Sequence, residues 1–220
     1  MISIIHLGAS GAVGTEVLKV LQQEKRVSMY TLLGRRILEG LPDSIFQKEI
    51  SIFEPDSYDE YIEGHDVAIC TLGVGEPSKL SRDDFIKIDK QAVINFGKSC
   101  KQHGVKHFQL LASVGIDVKS SSFYLKTKGE LVEALKELNF ERLSIFMPSM
   151  ILTPTNRYGF LQGITLKVWP VLDKIFVGKA SIYKGISVAL LGVAIWNNSF
   201  TKGESVEYLV WEDFMNLNNL

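Results

Sequence analysis

The sequence predicts an α/β protein: one doubly wound parallel sheet, with residues 1–220 forming a single domain. Two observations carry this reading. Short apolar runs of strand length alternate with amphipathic helical patterns, as in a parallel sheet covered on both faces. The first strand-to-helix turn also holds three evenly spaced glycines, Gly8, Gly11 and Gly14.

In chain order, Ile2–Leu7 is the first strand, and Val13, Val17, Leu18 and Leu21 mark the buried side of the helix after it. Ser28–Leu33 is the second strand and ends at Gly34-Arg35-Arg36. Glu49–Phe53 reads as the third, followed by a short helix near Tyr58–Ile62. Asp66–Leu72 is the fourth, closed by Gly73-Val74-Gly75. Ser81, three residues before Asp84, starts a long helix whose stripe includes Phe85, Ile88, Val93 and Phe96 and which ends near His103-Gly104. His107–Ala112 is the fifth strand, Tyr124–Leu138 a second long helix and Leu143–Phe146 the sixth strand. After Pro148 the pattern shortens, with one helix expected at Gly185–Asn197 and one strand at Val206–Val210. Residues 150–220 are expected to form a small C-terminal cap over the carboxyl edge of the sheet, on the substrate side. Phe160–Val177, rich in apolar residues, reads as core, lid or partner surface.

The glycine turn carries the first chemistry. Gly8 suits a tight turn, Gly11 a close approach of pyrophosphate to backbone, and Gly14 close packing of helix on strand. A helix N-terminus there offers free N–H groups and the positive end of a dipole to phosphate. Farther on, the fifth strand leads into Ser113, and Tyr124 and Lys128 lie one turn apart on one helix face. A phenol normally titrates near ~10, too high for easy proton transfer at neutral pH. A neighbouring ammonium favours the phenolate, so the three side chains combine a proton donor, its tuner and an orienting hydroxyl.

The glycine triplet, Ser113, and Tyr124 with Lys128, in this order, resemble the short-chain dehydrogenase/reductase superfamily. The closest likeness is to its atypical branch of NAD(P)-binding Rossmann proteins, which includes the Tat-interacting-protein-like oxidoreductases. Residues 1–155 carry the resemblance. It implies an NADP(H)-dependent oxidoreductase acting on a small carbonyl substrate, with Ser113, Tyr124 and Lys128 catalytic. It implies cofactor contacts from Gly8, Ser10, Gly11, Ala12, Val13 and Gly14 around the pyrophosphate and from Leu72 and Gly73 at the adenosine ribose. Lys128 would also reach the nicotinamide ribose, and Pro148, Ser149 and Met150 would line the nicotinamide. Arg35 and Arg36 stand where an NAD-preferring relative would carry an acidic residue, so NADP(H) is expected over NAD(H).

Three positions depart from the pattern: Ile52-Phe53 lacks an Asp before the Phe, Asp89 stands at the tetrad's Asn, and Met147-Pro148-Ser149 replaces Arg-Pro-Gly. A second class of function is an NADP(H)-binding redox sensor or scaffold with little turnover. A net charge of −1 gives no broad reason to expect nucleic acid or an anionic membrane. Ile186–Trp196, the longest apolar-type run, is too short for a transmembrane span. The four histidines lack metal spacing, and His6 and His107 read as structural. Cys70 and Cys100 read as reduced thiols, Cys70 packed in a strand, which with no visible signal peptide suggests a cytoplasmic protein. A homodimer through the long helices is a further expectation from the resemblance.

Overall fold

The computed structural model describes residues 1–21, 25–75, 77–154, 169, 173 and 175–220. Its elements are β1 (Ile2–Leu7), α1 (Ala12–Leu21), β2 (Val27–Gly34), β3 (Ile45–Glu49) and β4 (Val67–Cys70). Then come α2 (Arg82–Ile86), a π-helical turn (Lys87–Ala92), α3 (Val93–Gln102), β5 (His107–Leu111), α4 (Phe123–Lys136) and β6 (Arg142–Phe146). The chain closes with β7 (Met150–Leu152), β8 (Gly185–Ser187), α5 (Val188–Asn198), β9 (Val206–Leu209) and α6 (Trp211–Asn218). Seven strands form one parallel sheet in the order β3-β2-β1-β4-β5-β6-β9, a Rossmann fold. The strand order reverses between β1 and β4, where a crevice opens at the carboxyl ends of an α/β sheet.

Alternate residues of the central strands feed two cores. Ile5, Leu7, Ala68, Cys70, Phe108 and Leu110 pack with Phe96 of α3 and Leu131 and Leu135 of α4. Ile4, Val67 and Ile69 pack on the opposite face with Val17 of α1, Leu191 and Trp196 of α5 and Phe214 of α6. Both faces are covered, which is why these strands read as nearly continuous apolar runs.

The third strand lies earlier than Glu49–Phe53. It is β3, paired Tyr30↔Ile45 through Gly34↔Glu49. As an edge strand it needs only Ile45 buried, whereas Phe46 is half exposed and Gln47 spends its amide on the Leu38 backbone (2.9 and 3.0 Å). Ile50 and Ile52 are buried beyond the strand's end, so their burial comes from loop packing. The expected helix near Tyr58–Ile62 is two short 3-10 turns, Pro55–Ser57 and Asp59–Tyr61. Ser81 caps α2 as expected, accepting from the Asp84 N–H at 3.1 Å while its hydroxyl donates to the Asp84 carboxylate at 2.7 Å.

The described part of residues 150–220 divides between two places. β7 and β8 pair with each other as a separate two-stranded parallel sheet. The helix expected from Gly185 starts three residues later, because Ser187 accepts from the Leu190 N–H (3.2 Å) and caps α5 there. α5, apolar on most of its surface, is buried against α1, as such a helix must be. Gly192 permits the approach: a Cβ there would lie 2.6 Å from Glu16 Cβ. β9 extends the main sheet beyond β6. Most of Phe160–Val177 lies outside the described residues.

A buried polar knot fastens this last strand. Arg142 on β6 donates to Glu207 of β9 (Nε–Oε1 2.9 Å), to the Thr201 carbonyl (2.6 Å) and to Asn198 Oδ1 at the end of α5 (2.7 Å). Asn198 in turn donates to Gln109 (3.1 Å) and Ser144 (3.0 Å), and Ser144 Oγ meets His107 Nε2 at 2.7 Å. Truncating one partner leaves the other charge without compensation. Arg142→Met is therefore expected to lower unfolding free energy by about 3 kcal/mol, measured by urea denaturation at pH 7; a loss below ~1 kcal/mol would put the pair in the class of surface ion pairs.

Candidate active site

The glycine turn is shaped by close backbone contacts. Gly8 has φ +97°, and a Cβ there would lie 2.5 Å from the Leu72 nitrogen. A Cβ at Gly14 would lie 2.4 Å from the Gly8 carbonyl oxygen and 2.7 Å from Ala9 Cα. The Gly11 N–H closes the turn on the Gly8 carbonyl (3.0 Å). Gly8 and Gly14 thus bring β1, α1 and the end of β4 together. Gly11, Ala12 and Val13 border the crevice itself. The first-turn N–H groups of a helix have no intrahelical partners, so α1 offers donors at this end.

Behind the turn runs a buried chain of hydrogen bonds. Thr71 Oγ1 donates to the Gly8 carbonyl (3.0 Å) and sits 2.9 Å from His6 Nε2. With the Thr71 proton committed to Gly8, Nε2–H of His6 must be the donor to Thr71. His6 Nδ1 then accepts from the Tyr30 hydroxyl at 2.9 Å. Burial favours the neutral forms, lowering His6 to about 3 and raising the Tyr30 phenol. His6 is thus a structural histidine with both ring nitrogens satisfied.

The crevice has a volume of about 730 Å³, within the range of small-molecule sites. It reaches from Gly11, Ala12 and Val13 past Leu72 and Gly73 to Ser113, Tyr124, Lys128, Pro148, Ser149 and Met150. Most of the residues singled out from the sequence therefore share one wall or another of it. Ser10 and Arg36 line a smaller cleft on the other side of the turn, together with Gly34, Gln47 and Lys48. Gly8, Gly14 and Arg35 border neither space.

Lys128 and Asp89 form a buried ion pair, Nζ–Oδ1 2.8 Å, with side chains 4% and 2% exposed. The other Asp89 oxygen accepts from the Val74 N–H at 2.9 Å. Asp89 reaches this point from the π-helical turn between α2 and α3, a widening of the kind that often marks functional sites. One carboxylate thus holds both the ammonium of α4 and the loop after β4. Ser122 caps α4 (3.5 Å to Leu125 N), and Phe85 packs against the Tyr124 ring with centroids 5.7 Å apart. Among the described residues, Ser113 Oγ makes only a 3.4 Å contact with the Val114 carbonyl. Thr71, Val74, Leu111, Ile151 and Thr153 also line the crevice and were not singled out. Thr71, Val74, Leu111 and Thr153 lie at or just beyond the carboxyl ends of strands, where ligands bind in this architecture, and Ile151 lies within β7.

Cys70 is fully buried, and burial pushes its thiol up to about 12, which suits packing and not attack. Among the described residues no cluster of three His, Cys, Asp or Glu side chains could hold a metal, and no helix is long and apolar enough to cross a membrane.

A family model described as NAD(P)H-binding matches residues 8–142, more than half the chain. The chain belongs to this family. It is an atypical short-chain dehydrogenase/reductase-type protein that binds NAD(P)H. It is 38% identical to rat (Rattus norvegicus) Protein HTATIP2 over 153 residues, 68% of this chain but 63% of the rat protein. The match thus covers less than two thirds of that relative's length. To Protein FMP52, mitochondrial, of Meyerozyma guilliermondii it is 31% identical over 168 residues, 74% of this chain and 72% of that protein. The fold is shared with MoeE5 in complex with UDP-glucuronic acid and NAD (TM-score 0.72, 14% identity, 94% of this chain and 75% of that one). It is shared also with a short chain dehydrogenase from Burkholderia cenocepacia in complex with NADP (TM-score 0.67, 12% identity, 98% and 90%). The family's nucleotide fits the geometry: a turn kept bare by glycine, a helix N-terminus behind it, and a crevice at the sheet's switch point.

Stability is expected to fall steeply on mild acidification. His6 and His107 titrate near ~6.5 in the unfolded chain and about 3 in the folded one, lowered chiefly by burial. Below the unfolded value the unfolded chain binds protons that the native state refuses, so their contribution is complete above it and is lost as pH falls toward the folded value. The two together should remove about 4 kcal/mol between pH 7 and pH 5, read from urea midpoints at fixed ionic strength. A flat profile would mean that neither ring is held neutral by burial, and half the loss that only one of them is.

Proposed function

We propose that the chain is an NADPH-dependent reductase of a small carbonyl compound. The observation that carries this reading is that Ser113, Tyr124 and Lys128 border the same crevice as the glycine turn. When bound, the reduced nicotinamide supplies a hydride to the substrate carbon. The Tyr124 hydroxyl donates the proton to the substrate oxygen, and the Ser113 hydroxyl holds that oxygen. Lys128, anchored by Asp89, keeps a positive charge in place one helical turn from the phenol. Anchoring matters because a free ammonium would lose side-chain entropy on being held beside the phenol. A cofactor-sensing scaffold has no use for a phenol and a hydroxyl opening on one crevice, which favours turnover.

Ser10 and Arg36, which both line the smaller cleft, support a preference for the 2′-phosphate of NADPH, since a guanidinium meets phosphate with forked, charged hydrogen bonds. Arg35, outside the cleft, contributes at longer range.

Tyr124→Phe is expected to leave NADPH affinity within about twofold and to lower kcat at least ~100-fold, measured as carbonyl-dependent NADPH oxidation. A variant that kept full turnover would remove Tyr124 from the role of acid. In a titration followed by nicotinamide fluorescence, the wild-type chain is expected to prefer NADPH over NADH, and Arg36→Leu to erase about 1.5–3 kcal/mol of that preference. Equal affinities in the wild type would refute the assignment of Arg36.

A further inference from the structure

We propose that the substrate is a compact, uncharged carbonyl compound with an apolar body, and that the end of the crevice bordered by Ser113 and Tyr124 takes neither a carboxylate nor a nucleotide diphosphate as substrate. The inference deepens the reductase reading and rests on it for the reaction, though not for binding. It comes from how charge is distributed around the glycine turn. The smaller cleft carries Arg36 and Lys48, two cations able to meet phosphate. At the other end, Asp89 and Lys128 are the only charged side chains among the described residues lining the crevice.

Those two charges are paired with each other. Lys128 Nζ sits 2.8 Å from Asp89 Oδ1, both are almost fully buried, and the remaining Asp89 oxygen is taken by the Val74 N–H. An anion entering beside Lys128 would also meet the Asp89 carboxylate. It would lose its water against Leu111, Pro148, Met150 and Ile151, and among the described residues lining the crevice Lys128 is the only cation to replace it. Burying an unpaired carboxylate costs several kcal/mol even after relaxation. A neutral carbonyl needs only the hydroxyls of Ser113 and Tyr124, and its hydrocarbon gains from the same apolar wall. Size is limited as well, because the one crevice of about 730 Å³ extends back to the helix N-terminus that serves the phosphates. MoeE5, which shares the fold, is seen with UDP-glucuronic acid and with UDP-glucose. The charge distribution here separates this chain from that chemistry.

The test uses a matched pair, methyl 4-formylbenzoate and 4-carboxybenzaldehyde, which differ in charge far more than in shape or carbonyl reactivity. Binding of each, and of UDP, is measured by calorimetry on the full chain saturated with 1,4,5,6-tetrahydro-NADP, whose nicotinamide ring is uncharged and donates no hydride, and turnover is measured separately with NADPH. The ester is expected to bind about 100-fold more tightly than the acid, and UDP not to compete with it. Equal or tighter binding of the acid, competition by UDP, or no binding of the ester at millimolar concentration would each overturn the inference. Tight ester binding without reduction would uphold the substrate class and sink the reductase reading, so the two failures are distinguishable.

Discussion

Everything in the site depends on how closely the end of β1 approaches the end of β4. The space at Gly8 for even one carbon atom is already taken by the Leu72 backbone, and the residue's positive φ turns the chain away from the strand direction. Thr71 then reaches back to the Gly8 carbonyl, itself held by a neutral His6 and the Tyr30 hydroxyl. A charged imidazole could not accept from Tyr30, so burial of His6 and the geometry of the turn support each other. The result is a turn braced from behind by buried bonds and left bare in front, where Gly11 and the start of α1 border the crevice.

A second bracket works across helices. Asp89 ties the loop after β4 to the ammonium on α4, and a single carboxylate does both because the π-helical turn sets it apart from the regular stripe of its helix. Such a pair gains little net stability, since the cost of desolvating two ions nearly offsets their attraction. Its consequence is positional: a charge fixed in direction beside Tyr124. Among the described residues lining the crevice, this pair holds the charged side chains, while Arg36 and Lys48 line the smaller cleft.

At the far edge of the sheet, the polar knot of Arg142, Asn198 and Glu207 shows how the C-terminal segment joins the fold. β9 is short and offers little apolar surface, and pairing with β6 together with this knot holds it in register. α5 needs no such device, because its apolar surface is consumed by α1 and by the sheet face.

What could be read from the chain alone was whatever depends on local chemistry. Short continuous apolar runs, the glycine spacing, the Ser81 cap and the one-turn separation of Tyr124 and Lys128 are written in neighbouring residues, and the central strands follow them closely. Strand β3 escaped that reading because an edge strand buries one side chain in five, while Ile50 and Ile52 mimic a strand from a loop. The family resemblance marked Asp89 as a departure but not as the partner of Lys128, since that contact joins two helices separated by a strand. Periodicity and spacing determined the sheet, the glycine turn and the identity of the polar groups. The tertiary structure decided which of those groups are already neutralised by a partner and which remain available to a ligand, because charge compensation is a property of distances in space and not of order along the chain.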